Sequence, residues 1–320
     1  MRHLGIRIGS LGNRGAWGRV LAVAVALFCL AGCYAAMAER DARTLTGDLE
    51  TEENSVLQTI WVLEFSNKSF LADREVETTM QRMLLDECAA NCHPISFQED
   101  REGNRLDIPR LSSGEIDNYG LALASRGKGA GAVLSGVITD IRGEEESLGF
   151  WWFEEKVRSA VVNLNIVLLD SETGAKLLDD NYNAESEITA RQYKRLKAGD
   201  RSLELPLIAD AMKQVAADAG EALCETLRTH PAKFFPAGMS GNSLRLTAGR
   251  NAGLEKGIEL DAYQHGDVMT GKDGQRFAIP GTRTGTVRIL SVTESEAAAE
   301  IISGTVPDAS VCLKPKVDWE

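Results

Sequence analysis

The segment Gly127-Lys128-Gly129-Ala130-Gly131 comes nearest in this chain to a phosphate cradle. It lacks the G-x-x-x-x-G-K-[ST] spacing. It also runs into an apolar, strand-like stretch, whereas a phosphate loop follows a strand and opens a helix. It reads instead as a helix end and turn. His93, His230 and His265 are scattered. No H-E-x-x-H or G-x-S-x-G motif accompanies them, and no acid pair has a defined partner. Cys88, Cys92 and His93 are close in sequence, but their spacing is neither that of a zinc knuckle nor the C-x-x-C-H of haem attachment. These residues invite no catalytic assignment. The expectation is a protein that is not an enzyme and takes no metal and no cofactor.

The aromatic run Phe150-Trp151-Trp152-Phe153 follows Glu144-Glu145-Glu146 and lies between two predicted strands. As a strand start it would put Phe150 and Trp152 on one side and Trp151 and Phe153 on the other. At least one aromatic pair would then be exposed, as a contact for a protein partner or a membrane interface. Packing on both sides of a strand edge is the alternative reading. A membrane pore needs ~9–11 alternating residues in each spanning strand. The segment Arg142–Lys156 reads as too short for that, and its acidic run does not suit lipid. Arg191, Lys194, Arg195, Lys197 and Arg201 read as a solvated basic loop.

The N-terminus carries Arg2, Arg7, Arg14 and Arg19, then the apolar run Val20–Leu30 and the small residues Ala31 and Gly32. That is the layout of a secretory signal peptide, and the apolar run is well short of the ~20 residues of a spanning helix. Leu30-Ala31-Gly32-Cys33 resembles the lipobox of bacterial lipoproteins. The resemblance implies removal of residues 1–32, a diacylglycerol thioether on Cys33 and an acyl chain, such as palmitate, on its new amine. Tyr34 stands where an aspartate would retain such a protein in the inner membrane. The expectation is therefore the outer membrane, facing the periplasm. Residues 33–57 are polar and acidic and read as a flexible tether, with a root-mean-square reach of ~25 Å.

The formal charge is −12, and cleavage would remove four arginines and no acid. So acidic a balance excludes non-specific nucleic-acid binding and a polybasic grip on anionic lipid. Beyond Cys29 and Cys33, the cysteines are Cys88, Cys92, Cys224 and Cys312. An oxidising compartment permits disulfides, and four cysteines allow three pairings. Cys88–Cys92 with Cys224–Cys312 is the favoured one, because residues four apart on a helix rise ~6 Å. Free buried thiols are the alternative.

Hydrophobic periodicity predicts strands at 59–65, 93–97, 132–141, 157–169 and 176–188, with helices at 72–90, from Ser113 to about 126, and at 207–227. Pro236, Gly238 and Gly241 read as a linker. Past it, short strands alternate with glycine turns, and Lys272-Asp273-Gly274 carries the signal of a tight hairpin. The fold class is α+β: a mixed sheet with packed helices over 58–230, then a small all-β, barrel-like domain over 231–320.

Trp61-Val62-Leu63-Glu64-Phe65-Ser66-Asn67, Ala130-Gly131-Ala132-Val133-Leu134-Ser135-Gly136 and Leu169-Asp170-Ser171-Glu172-Thr173-Gly174 resemble three successive motifs of TolB N-terminal-like domains. Lipoproteins of the CsgG and LpoB kinds share that fold, as does the middle region of the flagellar assembly protein FlgT. Asn251–Leu260 and Gly285–Val292 are similar to the C-terminal domain of FlgT. The resemblance implies a non-catalytic periplasmic lipoprotein, acting with a protein partner or further copies of itself. Its place would be in a flagellar basal body or secretion apparatus, the alternatives being regulation of a cell-wall synthase or a CsgG-like secretion component.

Overall fold

A computed structural model describes residues 56–71, 74–92, 95–100, 105–200, 205–307 and 310–316. The signal peptide, Cys33, the tether up to Ser55, His93 and Arg201 lie outside the described residues.

The chain is α+β. Strand β1 (Gln58–Val62) is buried along its length, as its apolar and β-branched sequence requires of a central strand. It pairs in parallel with β3 (Ile95–Glu99) and β4 (Ala132–Phe150). β4 is antiparallel to β5 (Phe153–Asp170), and β5 to β6 (Lys176–Glu187). The order is β3-β1-β4-β5-β6, with β2 (Ser66–Asn67) added to β4.

Strand alternation sorts the two faces. Ile60, Val62, Leu134, Leu164, Ile166 and Leu168 enter a core shared with helices α1 (Arg74–Asn91) and α4 (Ala209–Arg228). Helix α1 contributes Val76, Met80, Leu84 and Cys88, one turn apart on one stripe. Trp61, Leu63, Val133 and Leu169 face the other way, beneath α2 (Asn118–Arg126). A register shift between Ile138 and Asp140 lets Ile138 and Ile141, three apart, reach the same core.

The C-terminal part is a curled antiparallel sheet in the order β14-β9-β12-β13-β8-β7. Its strands are β7 (Pro236–Ser240), β8 (Ser243–Leu246), β9 (Glu259–Tyr263), β12 (Arg283–Val292), β13 (Ala297–Gly304) and β14 (Cys312–Pro315). Leu244, Leu246, Leu260, Val287, Ile289 and Leu313 fill its core. A separate hairpin, β10 (Val268–Thr270) with β11 (Arg276–Ala278), packs beside α2.

Several expectations are corrected. The basic segment is a helix, α3 (Ala190–Lys197), opened by a capping box in which Thr189 and Gln192 bond reciprocally. Helix α2 starts later than Ser113 because Asp117 caps it, accepting from the Gly120 N–H. The Pro236–Gly238 linker is edge strand β7, where proline costs no ladder bond. The Asp273-Gly274 pair sits in a longer turn, Gly271–Gln275, between β10 and β11.

The Gly127–Gly131 segment is a turn after α2, as its sequence suggests, and it touches the C-terminal sheet. Gly129 has φ +74°, and a Cβ there would lie 2.3 Å from the Thr247 carbonyl oxygen. Gly129→Ala should therefore destabilise the chain by about 2 kcal/mol or more, combining backbone strain with an overpacked contact. A thermal melt checks this, and an unchanged midpoint would show that the contact relaxes.

Candidate functional site

The feature that leaves the body of the molecule is the β4–β5 hairpin. Its strands stay paired from Ala132↔Asp170 to Phe150↔Phe153. From Glu145 to Lys156 the described residues are all exposed. The portion from Gly143 to Phe150 projects about 25 Å at ~3.3 Å per residue. Along this arm Arg142 pairs with Asp140 and Glu144, while Lys156 and Arg158 both hold Glu145. Tyr193 and Leu196 of α3 close on Gly143 at its base. Beyond Ile138 no strand covers the outer edge of β4 among the described residues.

Phe150–Phe153 does not alternate as a strand start would. Trp151 and Trp152 form the two-residue turn between paired Phe150 and Phe153. The indoles meet edge to face at 4.8 Å, and Phe150 stacks on Trp152 at 6.0 Å. Phe150 is 74%, Trp151 89% and Trp152 68% exposed. At Phe150, Trp151 and Trp152 this exposure leaves no packing on both sides of a strand edge. The arm also corrects the length argument against a pore. Arg142–Lys156 is not an isolated short segment but the end of two long strands. What separates the arm from a spanning hairpin is charge: Glu144, Glu145, Glu146, Glu154 and Glu155 leave no continuous apolar face.

The favoured cysteine pairing is also corrected. Cys92 bonds Cys224 with Cα atoms 5.1 Å apart, stapling the end of α1 to α4. Cys88 and Cys312 are free and buried. The helix aims Cys88 at the core, against Gly220 of α4, so it does not turn to Cys92. Its sulfur lies within 4.8 Å of both bonded sulfurs. Burial, and then the charge of Glu87, push its thiol up to about 12, so it is protonated at neutral pH. Cys312 sits in β14, where burial pushes its thiol up as well.

Sequence reading missed a buried ion cluster. Lys233 Nζ lies 2.6 Å from Asp170 and 2.8 Å from Glu172, and Lys314 lies 2.9 Å from Glu172. The Thr173 hydroxyl donates to Asp170 at 2.7 Å. Arg126 donates to the Ser171 and Glu172 carbonyls. It also donates to His265 Nε2 at 2.9 Å, making that nitrogen an acceptor. Burial raises the Asp170 carboxyl, but the charge and hydrogen bond of Lys233 outweigh it and hold the group below its usual range. Burial lowers Lys233, and Asp170 with Glu172 reverse this, holding the ammonium above its usual range. The cluster joins the β5–β6 turn to the C-terminal sheet. It encloses its charges in hydrogen bonds and reads as a structural weld. The sequence signal was the Asp170–Gly174 segment, which by itself shows no cationic partner for Asp170 or Glu172.

A groove of about 470 Å³ lies where α2 and the Gly271–Gln275 turn meet the open sheet face, floored by Leu63, Leu121, Val133, Val167 and Leu169. Gln275 secures one wall by donating to the Ile116 carbonyl. His230 bonds the Thr226 carbonyl at the end of α4 through Nδ1.

No family model matches the sequence. No curated protein matches it. Among solved structures, it is similar to a minor lipoprotein from Acinetobacter baumannii, with 11% identity over 52% of this chain and 94% of that one, at a TM-score of 0.28. Lipoprotein GNA1162 from Neisseria meningitidis shows 13% identity over 48% of this chain and 99% of that one, at a TM-score of 0.26. The PelC dodecamer from Paraburkholderia phytofirmans shows 12% identity over 52% and 92% of the two chains, at a TM-score of 0.26.

Proposed function

We propose that this chain is a non-catalytic, lipid-anchored protein of the outer membrane. It faces the periplasm and acts in assembling an envelope machine, a flagellar basal body or secretion apparatus, through protein–protein contacts. The observation that carries the reading is the open outer edge of β4 from Thr139 to Phe150, on an arm that leaves the body. An uncovered strand edge offers a row of backbone donors and acceptors to which a partner can add a strand. Such an edge also invites aggregation, and charged side chains are a usual guard. Arg142, Glu144 and Glu146 supply them on this edge. The lipobox at Cys33 supports the anchor, and the resemblance to FlgT supports the kind of machine.

In-cell photocrosslinking tests the reading. A crosslinking residue at Glu144 or Glu146 should give one discrete adduct with an envelope protein or a second copy. One at Lys213, exposed on α4, should give none. Equal, diffuse labelling from both places would overturn the proposal.

A further inference from the structure

We propose that the Trp151–Trp152 turn is an interfacial anchor, which dips into the surface of a bilayer rich in zwitterionic lipid. The first ground is composition. Leu148 (53% exposed) joins Phe150, Trp151 and Trp152 in an apolar cap, and no charged residue occurs from Ser147 to Phe153. Indoles combine a large apolar body with one polar N–H and concentrate where hydrocarbon meets headgroups.

The second ground is dimension. Glu154 and Glu155 pair with Gly149 and Leu148, so the part of the arm uncharged on both strands, Phe150–Phe153, is about 5–7 Å deep at ~3.3 Å per residue. That suits the ~5–10 Å burial of an interfacial element and falls short of the ~9–11 residues per strand that span a bilayer. Charge sets the limit of entry. Glu154 and Glu155 stand level with Gly149 and Leu148, Glu146 lies further back, and together they form a collar at the foot of the aromatic turn. Glu145 is taken up by Lys156 and Arg158, whereas the collar carboxylates have no ion pair among the described residues. The collar would rest at headgroup level, where it tolerates zwitterionic lipid and repels anionic lipid.

The third ground is shape. The two indole planes are 82° apart, so the cap is a broad knob with ring faces in different planes. A fluid interface accommodates such a knob without a matching slot. This proposal rests on the Cys33 anchor only to keep a bilayer within reach. It does not depend on the β4 edge, which crosslinking tests separately.

The experiment uses the mature lipidated protein in phosphatidylcholine vesicles, with brominated phosphatidylcholine as the quencher. The wild type is compared with W151S/W152S, which the same lipid anchor holds to the vesicle. Both proteins also carry W319F, so that Trp61, sealed in the core, is the one indole common to both. Brominated lipid should reduce wild-type indole emission at least twofold and leave the double variant nearly unchanged, with equal thermal midpoints showing that both are folded. Replacing half of the lipid by phosphatidylglycerol should weaken the quenching, and E154Q/E155Q should restore it. Equal quenching of both proteins, or stronger quenching with phosphatidylglycerol, overturns the proposal. So does an in-cell crosslink from position 151 that captures protein and no lipid.

Discussion

Replacing Lys233 by methionine should destabilise the chain by about 3–5 kcal/mol, because it strands a carboxylate in a site from which water is excluded. Lys233 and Asp170 are almost wholly buried, and their Nζ–Oδ1 distance is 2.6 Å. Glu172 keeps Lys314 as a partner, so the orphan is Asp170. Differential scanning calorimetry would show this as a fall in midpoint of about 6–20 °C for a chain of this size. The pH dependence has a definite sign. In the wild type the Asp170 carboxyl is held below its usual range, so its contribution is present at neutral pH. It is lost as pH falls below about 4 and through the folded-state value. Lys233 is held above its usual range, so its contribution is lost only at strongly alkaline pH, as pH rises through the folded-state value. In Lys233→Met, burial acts on Asp170 without Lys233. Its carboxyl should rise, and the variant should gain stability as pH falls from neutral toward about 4. Asp170→Asn added to Lys233→Met should recover much of the loss. A fall in midpoint below about 2 °C, or no change of sign with pH, would refute the assignment.

Opening the Cys92–Cys224 disulfide should have an effect of similar size. The bond closes a loop across 132 residues of sequence, and a loop that long corresponds to about 5 kcal/mol in the chain-entropy description. The expected loss on Cys224→Ser is about 2–5 kcal/mol, measured by denaturant unfolding. Reduction of the wild type should give the same loss. Cys88→Ala should cost less, since it removes a core sulfur and no cross-link. A non-reducing peptide map should join Cys92 to Cys224 and find Cys88 and Cys312 unmodified by alkylation until the chain unfolds. A map showing Cys88 bonded to Cys92 would overturn the pairing.

How far the fold was legible depended on whether the deciding force was local. Strands such as β1 and β5 announced themselves because burial imposes a period or an unbroken apolar run. Helix α3 was legible in principle: Thr189 followed by Gln192 is a capping signature, hidden by the charge of the segment between Arg191 and Lys197. The arm was understated because its outer half is polar on both faces. Pairing from the buried half propagates into residues whose own pattern shows no strand. The aromatic cap was legible as an anomaly, and only the turn geometry revealed its exposure. The cysteine pairing and the Lys233 cluster were not legible. Cys224 is 132 residues from Cys92, and Lys233 is 63 residues from Asp170, so tertiary packing alone brings them together.

The weld also bears on inheritance. A break near residue 230 looks like a natural seam, since the composition changes there. Yet a gene fusion across that seam would separate Asp170 and Glu172 from the two lysines that neutralise them. A foreign C-terminal half would need cations matching Lys233 and Lys314, and a foreign N-terminal half carboxylates matching Asp170 and Glu172, to keep the same stability. Lineages that carry this chain should therefore pass the two halves on together, with drift at Lys233 tied to drift at Asp170.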